Sequence, residues 1–242
     1  MAHALPQDAA EGEQAFWLAH LGAANHFTQW VVSEIRPYLG RAILEVGCGT
    51  GTFTRCFVRD ADRILALDID PRFVAEARAA LAHAPHVTVE CADATATPLA
   101  RDFDTVVLLD VLEHIADDVG FLRKLRETLR PGGRIVIKVP AIPRLFCPMD
   151  AAIGHYRRYD RRTLARTLAE GGFALDACKP FNAAAIAGWW LNGKVLKRTT
   201  PPAEQVSAFD RVVPVLSRAE RLLHLPFGLS LIAAATRAEA PL

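Results

Sequence analysis

Residues 43 to 51, Ile-Leu-Glu-Val-Gly-Cys-Gly-Thr-Gly, constrain the fold of this chain more than any other stretch. Ile43, Leu44 and Val46 suit a strand covered on both faces, as strands of a parallel sheet are. Gly47, Gly49 and Gly51 follow at two-residue spacing. Without a Cβ the backbone can turn sharply there and lie directly against a ligand. The pattern predicts a helix over 50–59, so a ligand on the loop meets the free amides of a helix N-terminus. A dinucleotide fingerprint of the form G-x-G-x-x-G would need glycine at position 52, where the chain has Thr52. Glu45 adds a second argument, because a carboxylate near the loop repels a diphosphate and favours a cation.

The next units repeat the strand-then-acid pattern. Arg63 to Asp68 reads as a short strand, with Asp70 as N-cap and Pro71 as the first residue of a helix whose apolar face is Val74, Ala77 and Leu81. Asp68 lies 17 residues beyond Gly51, near the ~20-residue offset at which an acid accepts from ribose hydroxyls in such sheets. His86 to Glu90 alternates as a third strand and is followed by Cys91-Ala92-Asp93-Ala94. Phe103 to Leu109 is a fourth strand, ending in Asp110-Val111-Leu112-Glu113-His114. A helix with Leu122, Leu125 and Leu129 inward and Arg123, Lys124 and Arg126 outward comes next, stopped by Pro131-Gly132-Gly133 before a fifth strand, Arg134 to Val139.

The E-x-G-x-G-x-G run, Asp68, Asp93 and the Leu112-Glu113-His114 segment together resemble the class I S-adenosylmethionine-dependent methyltransferases, in particular the bacterial small-molecule type with a ubiquinone/menaquinone-methyltransferase-like core. The resemblance covers about 100 residues in the expected order. It implies a Rossmann-like α/β fold with a seven-stranded doubly wound sheet whose seventh strand is antiparallel. It implies S-adenosylmethionine as cofactor, held by Glu45, Gly47, Cys48, Gly49, Gly51, Asp68, Ile69, Asp93, Ala94, Leu109 and Asp110, with Asp93 near the adenine amino group. Segments 154–159 and 188–193 also resemble a bacterial subset that acts on small molecules or glycan and lipid precursors.

Bulk properties narrow the rest. A chain of 242 residues can bury a full core in one domain, and 28 basic against 27 acidic residues leave no field that would draw it to nucleic acid. Cys48, Cys56, Cys91, Cys147 and Cys178 show no C-x-x-C spacing, so neither a zinc site nor a disulfide framework is expected, and a reducing cytoplasm fits. Residues 1–10 lack the pattern of a signal peptide, and no apolar run reaches the ~18 residues of a membrane span.

The expected organisation is a helical cap over 1–40, a cofactor-binding core over 41–182, a helical insertion or lid over 183–227 between strands six and seven, and a final strand and tail over 228–242. Two N-terminal helices would carry Phe16, Trp17, Leu18, Phe27, Trp30, Val31 and Ile35 across the cofactor. Pro140, Pro143 and Pro148 argue for a long loop reaching Asp160, the cap of a helix ending at Glu170. Phe173 to Phe181 and Gly228 to Arg237 would be strands six and seven. The insertion holds Trp189, Trp190 and many aliphatic residues beside Lys194, Lys197 and Arg198, which suit packing on the core, a hydrophobic acceptor pocket, a protein partner or a membrane surface.

Methyl transfer from a sulfonium needs alignment and, for a protonated nucleophile, a base. His114, His155 and Tyr159 are the candidate catalytic residues, and Tyr156, Arg157 and Arg158 are candidates for gripping an anionic acceptor. Asp110, Glu113, His114, Asp117 and Asp118 are too irregularly spaced to suggest a metal site. The expected function is methylation of a hydroxyl, or of an amine or carbon, on a small-molecule acceptor. The alternative is a protein that uses the same fold without methylating, in a partner-dependent role.

Overall fold

The computed structural model describes residues 22–239 together with Gly12, Phe16, Trp17, Ala19 and His20. The expectations for Leu18 and for the tail beyond residue 239 lie outside the described residues. Strands β1 Ala42–Val46, β2 Arg63–Asp68, β3 Val87–Cys91, β4 Phe103–Leu109, β5 Leu129–Pro140, β6 Phe173–Phe181 and β7 Ser230–Arg237 form one sheet ordered β3-β2-β1-β4-β5-β7-β6. β1 through β5 are parallel to one another, and β7 runs antiparallel to both its neighbours. The order reverses between β1 and β4, so their carboxyl ends open a crevice where a ligand can bind.

The pleat explains the two cores. Leu44, Val46, Leu108, Ile135 and Ile137 pack against α4 Asp118–Arg126 and α6 Arg161–Glu170 through Leu122, Leu125, Leu164 and Leu168. Ile43, Ile64, Ala66, Val107 and Val136 pack on the opposite face against α1 Asn25–Ile35, the short α2 Thr54–Phe57 and α3 Pro71–Leu81, through Trp30, Val31, Ile35, Phe57, Val74 and Ala77. Asp70 caps α3 by accepting from the Arg72 amide at 2.8 Å, with Pro71 at its first position.

Several elements differ from their sequence expectation. The helix expected over 50–59 is reduced to α2, because the glycine loop continues as turns to Phe53. The fifth strand begins at Leu129, so Leu129 belongs to β5 rather than to the helical face, and the register breaks where Leu129 pairs with Phe103. Arg126 is not outward-facing: its Nε donates to Gly172 O at 3.1 Å and its Nη2 to Ala238 O at 2.6 Å. The 140–160 stretch is not a bare loop. Pro143 starts a 3₁₀ turn ending at Leu145, and Pro148 opens α5 Pro148–Ala152, since proline is well suited to a first helical turn.

Beyond β6 the chain forms α7 Ala185–Trp189, a π-helical stretch Trp190–Val195 and the long α8 Ala203–Leu223. Asp210 on α8 accepts from the Phe27 amide at 2.8 Å at the start of α1, and Glu220 accepts from the amides of Asn182 and Ala183 at 2.7 and 2.8 Å. These bonds hold the insertion over the crevice. Val215, Leu222 and Leu223 on α8 remain exposed. Among the described residues, no helix is long and apolar enough to cross a membrane.

Candidate active site

A cavity of about 610 Å³ sits at the carboxyl ends of β1 and β4, roofed by α1, α7 and α8. The glycine loop forms one wall. Gly47, Gly49 and Gly51 all adopt positive φ, at 76°, 53° and 77°. A Cβ at Gly47 would lie 2.5 Å from Val111 Cγ2, and one at Gly51 would press on Ala77 and Leu81, so the loop can lie this close to its neighbours only as glycine.

Asp68 braces that loop from the end of β2. Its Oδ2 accepts from the Gly49 amide at 2.7 Å and its Oδ1 from the Asp70 amide at 3.0 Å. Burial raises its carboxyl above the ordinary value, against the pull of those amides. Beside it, Ile69 leaves 66% of its surface exposed at the cavity edge, apolar area that a flat ring would cover. Asp93 after β3 also lines the cavity, with its Oδ1 accepting from the amide and hydroxyl of Thr95 at 2.8 and 2.6 Å. Cys48, Ala94 and Leu109 complete this end.

Asp110 follows β4 at φ 57°, a left-handed conformation that aspartate tolerates better than most non-glycine residues. Its carboxylate pairs with the ammonium of Lys138, a lysine 4% exposed on β5. The 3₁₀ turn 112–114 then carries Glu113 and His114 to the far end of the cavity. Glu113 is fully buried, and neither carboxylate oxygen has a hydrogen-bond partner. That isolation raises its carboxyl well above the usual range, with Asp110 adding to the rise. Burial and the neighbouring His155 lower His114 to about 4, so it is a neutral imidazole near neutral pH.

His155 reaches the same place from the segment after α5. Its Nδ1 donates to Asp150 Oδ1 at 2.9 Å, and its Nε2 stands 3.7 Å from Glu113 Oε1. Asp150 is fixed by Arg158 Nε at 2.7 Å, and Arg158 donates to Ala141 O at 2.9 Å while its guanidinium lies 4.5 Å from the Trp189 ring centroid. Trp189 stacks on Trp17 with centroids 5.9 Å apart. Phe27, Met149, Val206 and Phe209 extend this apolar side, which also presents three buried polar atoms without partners, Trp17 Nε1, Trp189 Nε1 and Asn182 Oδ1.

Not every candidate from the sequence reaches the cavity. Glu45 shares the face of Ile43, so the pleat directs it beneath α2, where its Oε2 accepts from the Thr54 hydroxyl at 2.6 Å. Gly51 likewise packs behind the loop, on α3. Alternation through 157–159 sends Arg158 toward the cavity and its two neighbours away from it. Arg157 pairs with Asp118 at 2.6 Å and donates to Ala116 O at 2.7 Å, while the buried Tyr159 hydroxyl donates to Asp118 at 2.8 Å. Tyr156 is 61% exposed and faces outward. Reading the sequence misses Asp150, Lys138 and Asn182, and it names Trp17 and Trp189 without foreseeing that they stack on each other. Asn182 follows β6 and Asp150 lies in the segment after β5, whereas Lys138 is inside β5 and carries no local signal.

S-adenosylmethionine fits the residues present: an acid with amides bound behind it, exposed Ile69 and a second acid at Asp93 form a cradle for a nucleoside without phosphate. Comparison with known proteins agrees. Residues 44–137 match the family model of a methyltransferase domain. A ubiquinone biosynthesis O-methyltransferase of Cereibacter sphaeroides is 32% identical over 124 residues, 46% of this chain and 49% of that protein. A demethylmenaquinone methyltransferase of Tropheryma whipplei is 30% identical over 127 residues, 52% of this chain and 51% of that protein. The chain thus spans about half the length of these curated relatives. Among solved structures, the N-methyltransferase NodS of Bradyrhizobium japonicum with S-adenosyl-L-homocysteine superimposes with a TM-score of 0.57, at 17% identity, over 89% of this chain and 86% of that one. With the glycine loop at the switch point of a sheet in this order, the chain is similar to the class I S-adenosylmethionine-dependent methyltransferases, and its residues 44–137 match their methyltransferase domain.

Proposed function

We propose that the chain methylates a hydroxyl of a small, largely apolar acceptor of the phenolic kind from which quinones are made. The observation that carries this reading is the division of the cavity. The nucleoside cradle occupies one end, and the apolar side lined by Trp17, Phe27, Trp189 and Phe209 meets Glu113, His114 and His155 at the other. The curated relatives that act in ubiquinone and menaquinone biosynthesis support the acceptor class.

When bound, S-adenosylmethionine supplies an already activated methyl electrophile. The protein's share is alignment, exclusion of water and activation of the acceptor. Asp68 would accept from the ribose hydroxyls, Asp93 from the adenine amino group, and Ile69 and Ala94 would flank the base. The glycine loop and the Leu109–Asp110 turn would flank the amino-acid portion. The aromatic side positions the acceptor ring, with Trp189 Nε1 as a donor and Asn182 Oδ1 as an acceptor for its polar substituents. Loss of the hydroxyl proton belongs to the Glu113–His114–His155 end.

The test is S-adenosylhomocysteine release with a panel of catechols, hydroquinones, amines and carboxylates. Catechols or hydroquinones should give turnover, and His155→Ala should cut it at least ~100-fold, as loss of proton-transfer assistance does. S-adenosylhomocysteine affinity of that variant, by calorimetry, should stay within about twofold. Turnover with amines alone would replace the acceptor class, and cofactor binding without turnover on any acceptor would favour the non-methylating alternative.

A further inference from the structure

Two imidazoles and a carboxylate converge at the acceptor end of the cavity from distant parts of the chain. One donor atom from each of Glu113, His114 and His155 lies within 4.8 Å of the other two. The sequence expectation of no metal site concerned Asp110, Glu113, His114, Asp117 and Asp118. Of these, Asp117 caps α4 through the Gly120 amide and Asp118 serves Arg157 and Tyr159, so neither can join. The third donor comes instead from His155, 41 residues beyond His114, which no local spacing in the chain could reveal.

We propose that Glu113, His114 and His155 form a binding site for a divalent transition-metal ion of the zinc, iron(II) or cobalt(II) type. Three independent observations support it. Glu113 is wholly buried with both oxygens unpartnered, a costly state that a bound cation relieves. His155 donates its Nδ1 proton to Asp150, which leaves the Nε2 lone pair directed at Glu113, and Asp150 is itself held by Arg158 and the Cys147 amide. A carboxylate behind a ligating histidine is the usual support of such sites. The rings of His114 and His155 meet at 79° with centroids 4.6 Å apart, so they do not stack and can share one ion.

Two nitrogens and one oxygen select a borderline divalent cation over calcium or magnesium, and three protein ligands leave positions open toward the cavity. This inference rests on the methyl-transfer reading for its purpose. Glu113, His114 and His155 would hold the ion, which would make a hydroxyl at an open position more acidic; that proton would leave to solvent, and the O–CH3 bond would form as the sulfur–methyl bond breaks, releasing S-adenosylhomocysteine.

The experiment titrates cobalt(II) chloride, and separately zinc chloride, into metal-stripped full-length protein, followed by ligand-field absorption and calorimetry. One ion per chain and the strong visible bands of a four- or five-coordinate cobalt site are expected. Glu113→Gln and His155→Ala should each weaken binding at least ~100-fold, and Asp150→Asn about 10–100-fold by loosening His155. Circular dichroism and S-adenosylhomocysteine calorimetry on the same samples report folding and the cofactor site. If either first-named variant unfolds, the other carries the comparison. Absence of one-to-one binding by both ions, or binding that none of the folded variants weakens, overturns the cation site and leaves methyl transfer intact. Metal binding without S-adenosylhomocysteine binding would instead retain the site and overturn the methyl-transfer reading.

Discussion

Replacing Glu45 with glutamine isolates the cost of placing an acid beneath the glycine loop. Glu45 is buried, accepts one hydrogen bond from the Thr54 hydroxyl at 2.6 Å, and sits near the like charge of Asp68. Burial is the largest cause of a rise in its carboxyl from the ordinary 4.5 to about 8. The folded value therefore exceeds the unfolded one. Such a group contributes stability that is fully present below the unfolded value and is lost as pH rises through the folded value. The window runs from 4.5 to about 8, a gap of about 3.5 pH units. At ~1.4 kcal/mol per unit this sets a ceiling of ~5 kcal/mol. Glutamine keeps the shape, still accepts from Thr54 and does not titrate. Urea unfolding of both proteins without cofactor, at about pH 5 and about pH 8, reads the effect through the linear dependence on denaturant. The two should match within ~1 kcal/mol at the lower pH, and the variant should be more stable by ~2 kcal/mol or more at the higher. A difference between them that does not change with pH would refute the argument, because Glu45 would then titrate alike in the folded and unfolded chain.

Two further substitutions separate cofactor contacts from structural ones. Asp68→Asn keeps the size of the side chain but turns an N–H toward one of the two amides it now accepts from, and removes the charge offered to the ribose. S-adenosylhomocysteine affinity should fall about 10–100-fold, the ~1.5–3 kcal/mol of a hydrogen bond to a charged group, and unchanged affinity in calorimetry would remove Asp68 from the cofactor site. Tyr159→Phe deletes the 2.8 Å bond to Asp118, which still holds Arg157. It should cost about 1 kcal/mol of stability by denaturant unfolding and leave turnover per folded molecule unchanged. A large loss of turnover in that variant would return Tyr159 to the list of catalytic groups.

The fold was readable from the chain where local signals agreed with the tertiary need. Buried runs such as Ile43 to Val46 and Phe103 to Leu109 are strands because both faces of a parallel sheet are covered, and Asp70-Pro71 combines a capping acid with a residue suited to the first helical position. Errors arose where a residue type has two uses. Proline was read as a breaker at Pro143 and Pro148, yet each begins a helical turn. Leu129 keeps a helical spacing with Leu125 but lies beyond the end of α4, where pairing with Phe103 makes it strand.

The candidate site divides along the same line. One end follows the ends of β1, β2, β3 and β4, where position in the chain is nearly position in space, so Gly47, Asp68, Asp93 and Asp110, each marked by its place after a strand, all line the cavity. Its acceptor end depends on which way side chains of an irregular segment turn. Along 155–159, His155 and Arg158 face Asp150, while Arg157 and Tyr159 face Asp118 on the other side. Two acids on separate helices, Asp118 on α4 and Asp150 on α5, thus sort one polar-aromatic run into a half facing the cavity and a half turned away from it. Charge and aromaticity alone marked the run as important without showing this partition. Buried acids, more than the cationic and aromatic residues that draw attention in a sequence, therefore determine which parts of this loop face the cavity.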